Sequence, residues 1–295
     1  MTLAVLALLV AAPFRPPTLP EMAERMARRP AELPARLAFV TAPLVGAPYV
    51  LSPLGEGHGA DPDPRLRFDA FDCTTFVETA LALALAPGPS DLLPTLDVLR
   101  YRDGSPGFLA RRHFPEAEWL PELTQLGVLE DITRSVGGTE VVVETKALSP
   151  STWRRHKNER LPVLPPARIP EGVFSLDVWP LDKARAATAR IPTGTILNVV
   201  RVNFANVPVR VSHQGIVLEK DGQRILRHAA DRLHHRVVDE PLDAFLERMQ
   251  RYSRWPVAGV NLAGVRAPAA LPMVRAPRAA PPTENEDKQG NSTPP

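Results

Sequence analysis

The sequence predicts an α+β domain, with helices in the first half and an antiparallel β-sheet in the second. The segment from Thr74 to Leu85 is rich in Ala and Leu and contains no Gly or Pro, which is typical of a buried helix. From Gly194 onward β-branched runs dominate, and the Asp221-Gly222 pair marks a hairpin turn between two of them. Helices that precede the strands, instead of alternating with them, favour the α+β class.

The composition is that of a globular protein without a strong overall charge. Of 295 residues, 44% are hydrophobic, and 35 basic residues nearly balance 33 acidic ones, which gives a net charge of +2. This balance argues against a dedicated nucleic-acid binder, because such a protein needs a clustered basic face. The chain has one cysteine, Cys73, so it has no internal disulfide framework.

The N-terminus has the pattern of a signal peptide. Leu3 to Ala12 form an apolar run that is too short to span a bilayer and is followed by Pro. We therefore expect residues 1–16 to be a signal peptide, the protein to be exported to the periplasm or cell surface, and the mature chain to have no stable membrane span. No Lys or Arg precedes the run, so an ordinary buried N-terminal helix is the alternative.

The rest of the first half contains two more candidate helices and a strand. Helical segments are expected at 91–102 and 116–127, and the alternating β-branched residues at 139–148 predict a strand. The basic run at 150–162 includes Trp153. We interpret this run as a solvated helix face, with contact to a polyanion as the alternative.

The second half supplies the sheet, one helix and a tail. The β-rich runs cover 194–202, 209–230 and 234–242. A helical pattern follows at 242–252.

The chain then changes character near its end. From Arg266 onward it is rich in Pro and has few bulky apolar side chains, as expected for a disordered tail. The predicted organisation is therefore one domain at 17–265 and a Pro-rich disordered tail at 266–295.

Cys73 lies where a loop runs into the apolar helix, a position that suits a nucleophile. Asp72 can cap this helix, which leaves Cys73 in the first turn, where free N–H groups and the helix dipole favour a thiolate. The same N–H groups could hold the oxyanion of a tetrahedral intermediate. The charge of Asp72 opposes the thiolate by raising the pKa of the thiol, so a nearby histidine cation has to outweigh it.

Two histidines are expected to lie close together on the predicted hairpin. His213 lies eight residues before Asp221, and His228 lies six residues after Gly222, so the two are near-opposite on paired strands. One imidazole could then act as a general base for a nucleophile while the other orients it.

Less reactive roles stay open when these residues are considered alone. Free cysteines are among the most buried residue types, so Cys73 could be an inert core residue, and the histidines could be structural. Cys73 with His213, His228 and the His234-His235 pair could also bind zinc. The spacings match no compact zinc motif, which makes a zinc site the weaker alternative.

Three further residues are candidates for substrate contact. Arg111 and His113 belong to an Arg-Arg-His sequence that could help to bind an anionic substrate. Asp72 is the third candidate, because it precedes the thiol directly. Simple exposure to solvent is the alternative for His113.

Five motifs, in this order along the chain, resemble the N-acetylmuramoyl-L-alanine amidase-like family. They are Phe-Asp-Cys-Thr-Thr-Phe-Val-Glu at 71–78, Arg-Arg-His-Phe at 111–114, and the sequences at 191–200, 211–218 and 227–230. The first of them and the Ser-His-Gln-Gly-Ile sequence around His213 are the most specific. The resemblance covers roughly residues 35–265, and the family is placed in the NlpC-type branch of the papain-like cysteine hydrolases.

The resemblance implies a papain-like α+β fold, in which a helix bearing the cysteine packs on an antiparallel β-sheet bearing the histidine. It implies that Cys73 is the nucleophile, His213 the base and His228 the residue that orients the base. It also implies a peptidoglycan or muropeptide substrate, which is consistent with export.

Together these observations predict a cysteine amidase that hydrolyses an amide bond of peptidoglycan or muropeptides, with the N-acetylmuramoyl-L-alanine bond as the expected target. This chemistry requires no metal or organic cofactor, and no partner beyond the substrate is predicted. Two alternatives are a cysteine hydrolase of thioesters or lipid-linked amides, and a non-catalytic module that binds the cell wall.

Overall fold

The protein is a mixed α/β structure built on one antiparallel sheet. The computed structural model describes residues 13–155, 164–205 and 207–272. Three predictions fall partly outside the described residues: the signal peptide at 1–12, the basic run at 156–162 and the tail at 273–295.

The described end of the predicted signal peptide packs onto the domain. Phe14 lies against Gly46, and Arg15 forms an ion pair with Glu21 of the first helix. These side chains therefore contribute to the folded surface. Whether and where the segment is cleaved stays a prediction.

Most helices precede the main strands, as the sequence predicts. In the described ranges the α-helices are α1 (Leu19–Ala27), α2 (Leu33–Thr41), α3 (Cys73–Leu85), α4 (Leu92–Arg100), α5 (Leu120–Gln125), α6 (Thr133–Gly137), α7 (Pro150–Arg155), α8 (Leu181–Ala186) and α9 (Leu242–Gln250). A π-helical turn at Pro115–Trp119 leads into α5. Among these helices, none combines the length and the apolar character that crossing a membrane requires.

Within the described residues, the strands form an eight-stranded sheet in which the paired strands are antiparallel. They are β1 (Leu129–Asp131), β2 (Val142–Leu148), β3 (Gly172–Pro180), β4 (Thr195–Arg201), β5 (Val211–Lys220), β6 (Gln223–Ala230), β7 (Arg236–Pro241) and β8 (Val257–Val265). The order is β2-β3-β8-β4-β5-β6-β7, with β1 paired to β8.

The predicted hairpin β5–β6 and the predicted helices α3 and α9 are confirmed, whereas β3 and β8 are not predicted. β8 lies inside the sheet, between β3 and β4, although its sequence, Val-Ala-Gly-Val-Asn-Leu-Ala-Gly-Val, has low β propensity. Its glycines serve close packing instead. A Cβ at Gly259 would lie 2.2 Å from the carbonyl oxygen of Trp179 on β3.

Helices cover both faces of the sheet, and alternate residues of each strand point to opposite faces. The helix that bears Cys73 packs on one face together with α2, against Ile196, Ile216 and Leu218. Helices α8 and α9 pack on the other face, against Leu197, Val199 and Val217. The site described below lies where these two layers approach the start of β5.

A row of buried amide side chains fixes the register of the central strands. Gln214 donates to Asn198 at 2.8 Å, and Asn198 donates to Asn261 at 2.9 Å. Asn261 in turn donates to Asp131 and Thr133. An unpaired buried polar group costs about 1–3 kcal/mol, so a slip of β5 against β4 and β8 would be expensive.

Two helices begin with the same capping arrangement at different depths. In exposed α1, the Thr18 hydroxyl accepts from the N–H of Glu21, and the Glu21 carboxylate accepts from the N–H of Thr18. In α3, the Asp72 carboxylate accepts from the N–H of Thr75 at 2.8 Å, and the Thr75 hydroxyl accepts from the N–H of Asp72 at 3.0 Å. Asp72 is buried, so no water can replace its cap.

We expect Asp72→Ala to lower the free energy of unfolding by about 2 kcal/mol or more, because it removes a cap and leaves the N–H groups of Thr75 and Ser52 without their acceptor. Thr18→Ala should cost about 0.5–1 kcal/mol, since water can solvate the exposed N–H. Urea unfolding followed by circular dichroism measures both. Equal losses in the two variants would contradict a buried structural role for Asp72.

Candidate active site

Cys73 is held in place by the loop that precedes α3. The second carboxylate oxygen of Asp72 accepts from the N–H of Ser52 at 2.9 Å. Ser52 has a φ of 50°, a left-handed conformation that residues other than glycine rarely adopt. The hydrogen bond ties this strained loop residue to the start of the helix, directly beside the thiol.

The thiol of Cys73 is neutral in the free protein. Burial, followed by the charge of Asp72, raises its pKa to about 12, against weaker opposing effects of the N–H of Gln214 and of Thr74. The side chain is half-buried. Burial and Asp72 thus oppose the thiolate that the helix N-terminus is expected to favour, and the expected thiolate stays a prediction.

Four side chains form a hydrogen-bonded chain on the face of the sheet covered by α9. His213 Nε2 lies 2.7 Å from His228 Nδ1, and His228 Nε2 lies 3.1 Å from Glu240 Oε2. Arg248 donates to both carboxylate oxygens of Glu240, at 3.0 and 2.6 Å. The predicted proximity of the two histidines is confirmed, and the chain extends beyond them to a carboxylate and a guanidinium.

The carboxylate of Glu240 sets the direction of these hydrogen bonds. Burial opposes its ionisation, but hydrogen bonds from His228 and Arg248 lower the pKa of Glu240 to about 2. Glu240 can therefore only accept, so His228 donates from Nε2 and accepts at Nδ1 from the Nε2–H of His213. This leaves Nδ1 of His213 unprotonated, as a general base requires.

Burial favours the neutral form of both imidazoles. Burial lowers the pKa of His228, although Glu240 opposes this effect. Burial, then His228, Arg248 and Arg201, holds the pKa of His213 well below its usual value. The resting site therefore pairs a neutral thiol with a neutral imidazole rather than a thiolate with an imidazolium.

Cys73 lies against the strand segment that carries His213. The hydrogen-bonded ladder between β5 and β6 ends at Ile216 and Arg227. Beyond this point the N–H of Gln214 is directed at the sulfur of Cys73, and His213 is the next residue of the strand. The start of α3 therefore contacts the end of the strand that bears the histidine.

Gly215 provides the space in which the two histidines meet. A Cβ at this position would lie 2.9 Å from the Cβ of His228 and 2.8 Å from Leu226. Real side chains do not approach so closely, so any larger residue would push His228 away from His213. This explains why Gly follows Gln214 in the motif at 211–218.

The three candidate substrate contacts are engaged within the protein. Asp72 accepts the bonds described above. Arg111 donates to Glu56 at 2.5 and 3.0 Å and to Asp61 at 2.9 Å. His113 donates from Nε2 to the carbonyl of Phe108 at 2.7 Å, a bond that the neutral imidazole can form. Burial lowers the pKa of His113 to about 4.

These contacts favour a structural role for the three residues, and their contact with substrate stays a prediction. Trp153 of the basic run also faces the protein, because its ring packs edge-on against Phe114 at 5.2 Å.

Sequence reasoning identifies the two histidines but not Glu240 or Arg248. The pairing of β6 with β7 places His228 opposite Val238, so Glu240 lies two residues further along the same face. This register could have identified Glu240, but only if the sequence had shown that β7 pairs with β6. Arg248 comes from α9, and no local pattern relates it to the histidines.

The zinc alternative has no support from the geometry. His234 and His235 lie in the turn between β6 and β7, whereas His213 and His228 are hydrogen-bonded to each other. Within the ranges that the structure describes, no group of three or more His, Cys, Asp or Glu side chains could hold a metal ion.

The fold and site define a class of α+β proteins in which a cysteine at a helix N-terminus lies beside a strand bearing a hydrogen-bonded histidine. Within that class, the chain belongs to the N-acetylmuramoyl-L-alanine amidase-like family, whose model matches residues 39–252. The family resemblance seen in the motifs is thereby confirmed. Membership of the NlpC-type papain-like branch stays a prediction.

Solved structures share this fold at low sequence identity. A protein of Legionella pneumophila is 24% identical, with a TM-score of 0.67 over 83% of this chain and 89% of its own. An N-acetylmuramoyl-L-alanine amidase of Bacteroides uniformis is 22% identical, with a TM-score of 0.58 over 84% of this chain and 98% of its own. Such identities establish a common fold. No curated protein matches the chain.

We expect iodoacetamide to alkylate Cys73 slowly near neutral pH and faster as the pH rises toward about 12, because the thiolate is the reactive form and burial suppresses it. Asp72→Asn should shift this profile to lower pH by removing a neighbouring negative charge. Mass spectrometry of the intact protein reports the alkylation directly, since Cys73 is the only cysteine. As a control, the thiol of the urea-unfolded chain should titrate at about 8.5. A rate already maximal near neutral pH would contradict the neutral thiol.

We expect Gly215→Ala to separate His228 from His213 and to destabilise the fold by about 1–3 kcal/mol through overpacking. Gly107→Ala is the matched control, because a Cβ there approaches no nearer than 4.0 Å to Ala110. Ring ¹⁵N shifts of the histidines and urea unfolding measure the two effects. Unchanged shifts in Gly215→Ala would show that the glycine is not needed for the His–His contact.

Proposed function

We propose that the protein is a cysteine amidase that hydrolyses the N-acetylmuramoyl-L-alanine bond of peptidoglycan or muropeptides. The observation that carries the proposal is the approach of the α3 N-terminus, with Cys73, to the strand that bears His213 and its chain to His228 and Glu240. Membership of the amidase-like family and the fold shared with the Bacteroides uniformis amidase support the substrate class.

In the first half-reaction Cys73 attacks the amide carbonyl as its proton passes to Nδ1 of His213. The sulfur–carbon bond forms, the carbonyl becomes an oxyanion, and the backbone N–H of Cys73 at the helix start donates to it. His213 then gives its proton to the nitrogen, the carbon–nitrogen bond breaks, and the peptide leaves as an amine.

In the second half-reaction water hydrolyses the thioester. His213 removes a proton from the water as it attacks, and the tetrahedral intermediate collapses to a carboxylic acid with return of a proton to the Cys73 sulfur. No metal or organic cofactor takes part in this sequence. The same nitrogen, Nδ1 of His213, carries the proton in both halves.

His228 and Glu240 stabilise the charge that His213 acquires during each transfer. His228 accepts the Nε2–H of His213, and the negative Glu240 lies behind it. The resting pKa values favour transfer that is concerted with attack, because a preformed thiolate would be charged and buried before the substrate arrives.

A peptidoglycan substrate makes export part of this proposal. The apolar run at 3–12 has the length of a signal-peptide core, and delivery to the periplasm or cell surface would bring the enzyme to its substrate. Comparison of the mature N-terminus with the encoded one in a secreting host tests this point.

We expect Cys73→Ala and His213→Ala each to reduce kcat on a defined muropeptide by at least about a thousandfold, because removal of either the nucleophile or its base stops the chemistry. The control is His58→Ala, an exposed histidine in a loop. Mass spectrometry identifies the products as the intact sugar acid and a peptide with a free N-terminal L-alanine.

Three results would contradict the proposal. One is unchanged cleavage by Cys73→Ala. Another is preferential cleavage of thioesters or lipid-linked amides in a substrate panel. The third is tight binding to cell-wall sacculi without product release by the unmutated protein, which is the behaviour of a wall-binding module.

A further inference from the structure

A cleft of about 320 Å³ opens beside His213, on the face of the sheet that α9 covers. Its wall combines His213 with the aromatic rings of Tyr252 and Trp255 and with several arginines, of which Arg201 is the most buried. The lining in the described part of the chain does not include Cys73. The cleft is therefore a region of the site that the cysteine chemistry leaves unexplained.

Arg201 is buried in this wall with neutral partners. Its Nε donates to the hydroxyl of Ser212 at 2.8 Å, and its Nη1 donates to the carbonyl of Trp255 at 2.7 Å. The guanidinium lies 4.5 Å from the centre of the Tyr252 ring and 5.5 Å from that of Trp255. These contacts hold its plane in a fixed orientation but do not neutralise its charge.

The other buried arginines of the described chain all have a carboxylate partner. They pair as Arg100 with Glu78, Arg112 with Glu122, Arg168 with Glu118, Arg210 with Glu144, and Arg227 with Asp239. Within the same described ranges Arg201 forms no ion pair. A buried charge without a counter-ion is costly, so this position calls for an anion that the described part of the chain does not supply.

The carboxylates that line the cleft or lie behind its wall form no ion pair with Arg201 in the described ranges. Glu240 is bonded to Arg248 and His228. Asp231 lines the rim, and two exposed arginines, Arg232 and Arg254, lie there with it. The cleft therefore keeps a net positive charge around Arg201, next to two aromatic rings that can pack on the apolar part of a ligand.

The position of the cleft indicates which part of the substrate enters it. In the proposed reaction His213 gives its proton to the leaving amine, so that nitrogen must contact His213. The chain attached to the nitrogen then extends along the wall that His213 forms, away from the acyl group held at Cys73. For a muropeptide, this chain is the peptide that begins with L-alanine.

We propose that the cleft binds a carboxylate of the leaving peptide and that Arg201 is the residue that selects it. Arg201 offers a planar, pre-oriented guanidinium, which suits a carboxylate better than a single point charge does. The identity of the ligand in this assignment rests on the proposed function. The cleft itself, and the lack of an ion-pair partner for Arg201 among the described residues, do not depend on that function.

Two pairs of ligands test the proposal and locate the carboxylate. One pair is N-acetylmuramoyl-L-alanine and its carboxamide, which differ at the first residue. The other is N-acetylmuramoyl-L-alanyl-D-glutamate and its diamide, which differ at the second. We expect the unmutated protein to prefer the free acid over the amide by about tenfold or more in kcat/KM in at least one pair.

Arg201→Met should abolish this preference by raising KM for the acid about tenfold or more with kcat changed less than about threefold, and should leave the amide unaffected. Arg201→Lys should keep part of the preference, because the charge remains. The matched control is Arg25→Met, whose guanidinium also lies over an aromatic ring, Phe39, at 3.9 Å and donates to a backbone carbonyl, but outside the cleft.

Binding measurements separate failure of this assignment from failure of the proposed function. If the unmutated protein cleaves neither pair, the amidase proposal fails. Calorimetry with Cys73→Ala then measures whether the cleft binds an acid more tightly than its amide. Tighter binding of an acid than of its amide, lost in Cys73→Ala/Arg201→Met, supports the assignment. Equal binding of acid and amide, binding of neither, or a preference that survives Arg201→Met overturns it.

Discussion

The ionised carboxylate of Glu240 is the constraint on which the site depends. Hydrogen bonds from His228 and Arg248 keep it charged against the effect of burial, and a charged carboxylate can only accept from His228. This acceptor fixes the tautomer of His228, which in turn fixes the tautomer of His213. The nitrogen left unprotonated and free to act as a base is Nδ1 of His213. Without this carboxylate either ring could adopt either tautomer, and half of the arrangements would present an N–H to the thiol where a lone pair is required.

The sheet brings these groups together by holding its strands in register. The amide row through Gln214, Asn198 and Asn261 fixes β5 against the centre of the sheet. The ladder to β6 ends at Ile216 and Arg227, before the histidines, and the backbone of Gln214 contacts the thiol at the start of α3. Gly215 lets the two imidazoles of the neighbouring strands meet. Backbone register, rather than side-chain flexibility, therefore positions the chemistry.

Local patterns predict the parts of this arrangement that local physics determines. The Asp-Gly turn and alternating residues predict the hairpin, and counting from the turn predicts that His213 and His228 lie close together. Strand β8 escapes prediction because its glycines fit close contacts, of Gly259 with Trp179 and of Gly264 with Ile132, rather than β propensity. Glu240 requires the pairing of β6 with β7, and the raised pKa of Cys73 requires its burial. These are properties of the assembled fold.

The neutral state of the lone thiol has a consequence for chemical durability. Peroxides react with the thiolate rather than the thiol, so a cysteine that stays protonated is a slow target for oxidation to the sulfenic acid. The chain has no second cysteine that could trap such a product as an internal disulfide. Burial beside Asp72 therefore slows oxidation of Cys73, the only cysteine on which the proposed chemistry could run. The same burial means that the thiolate does not form before the substrate binds.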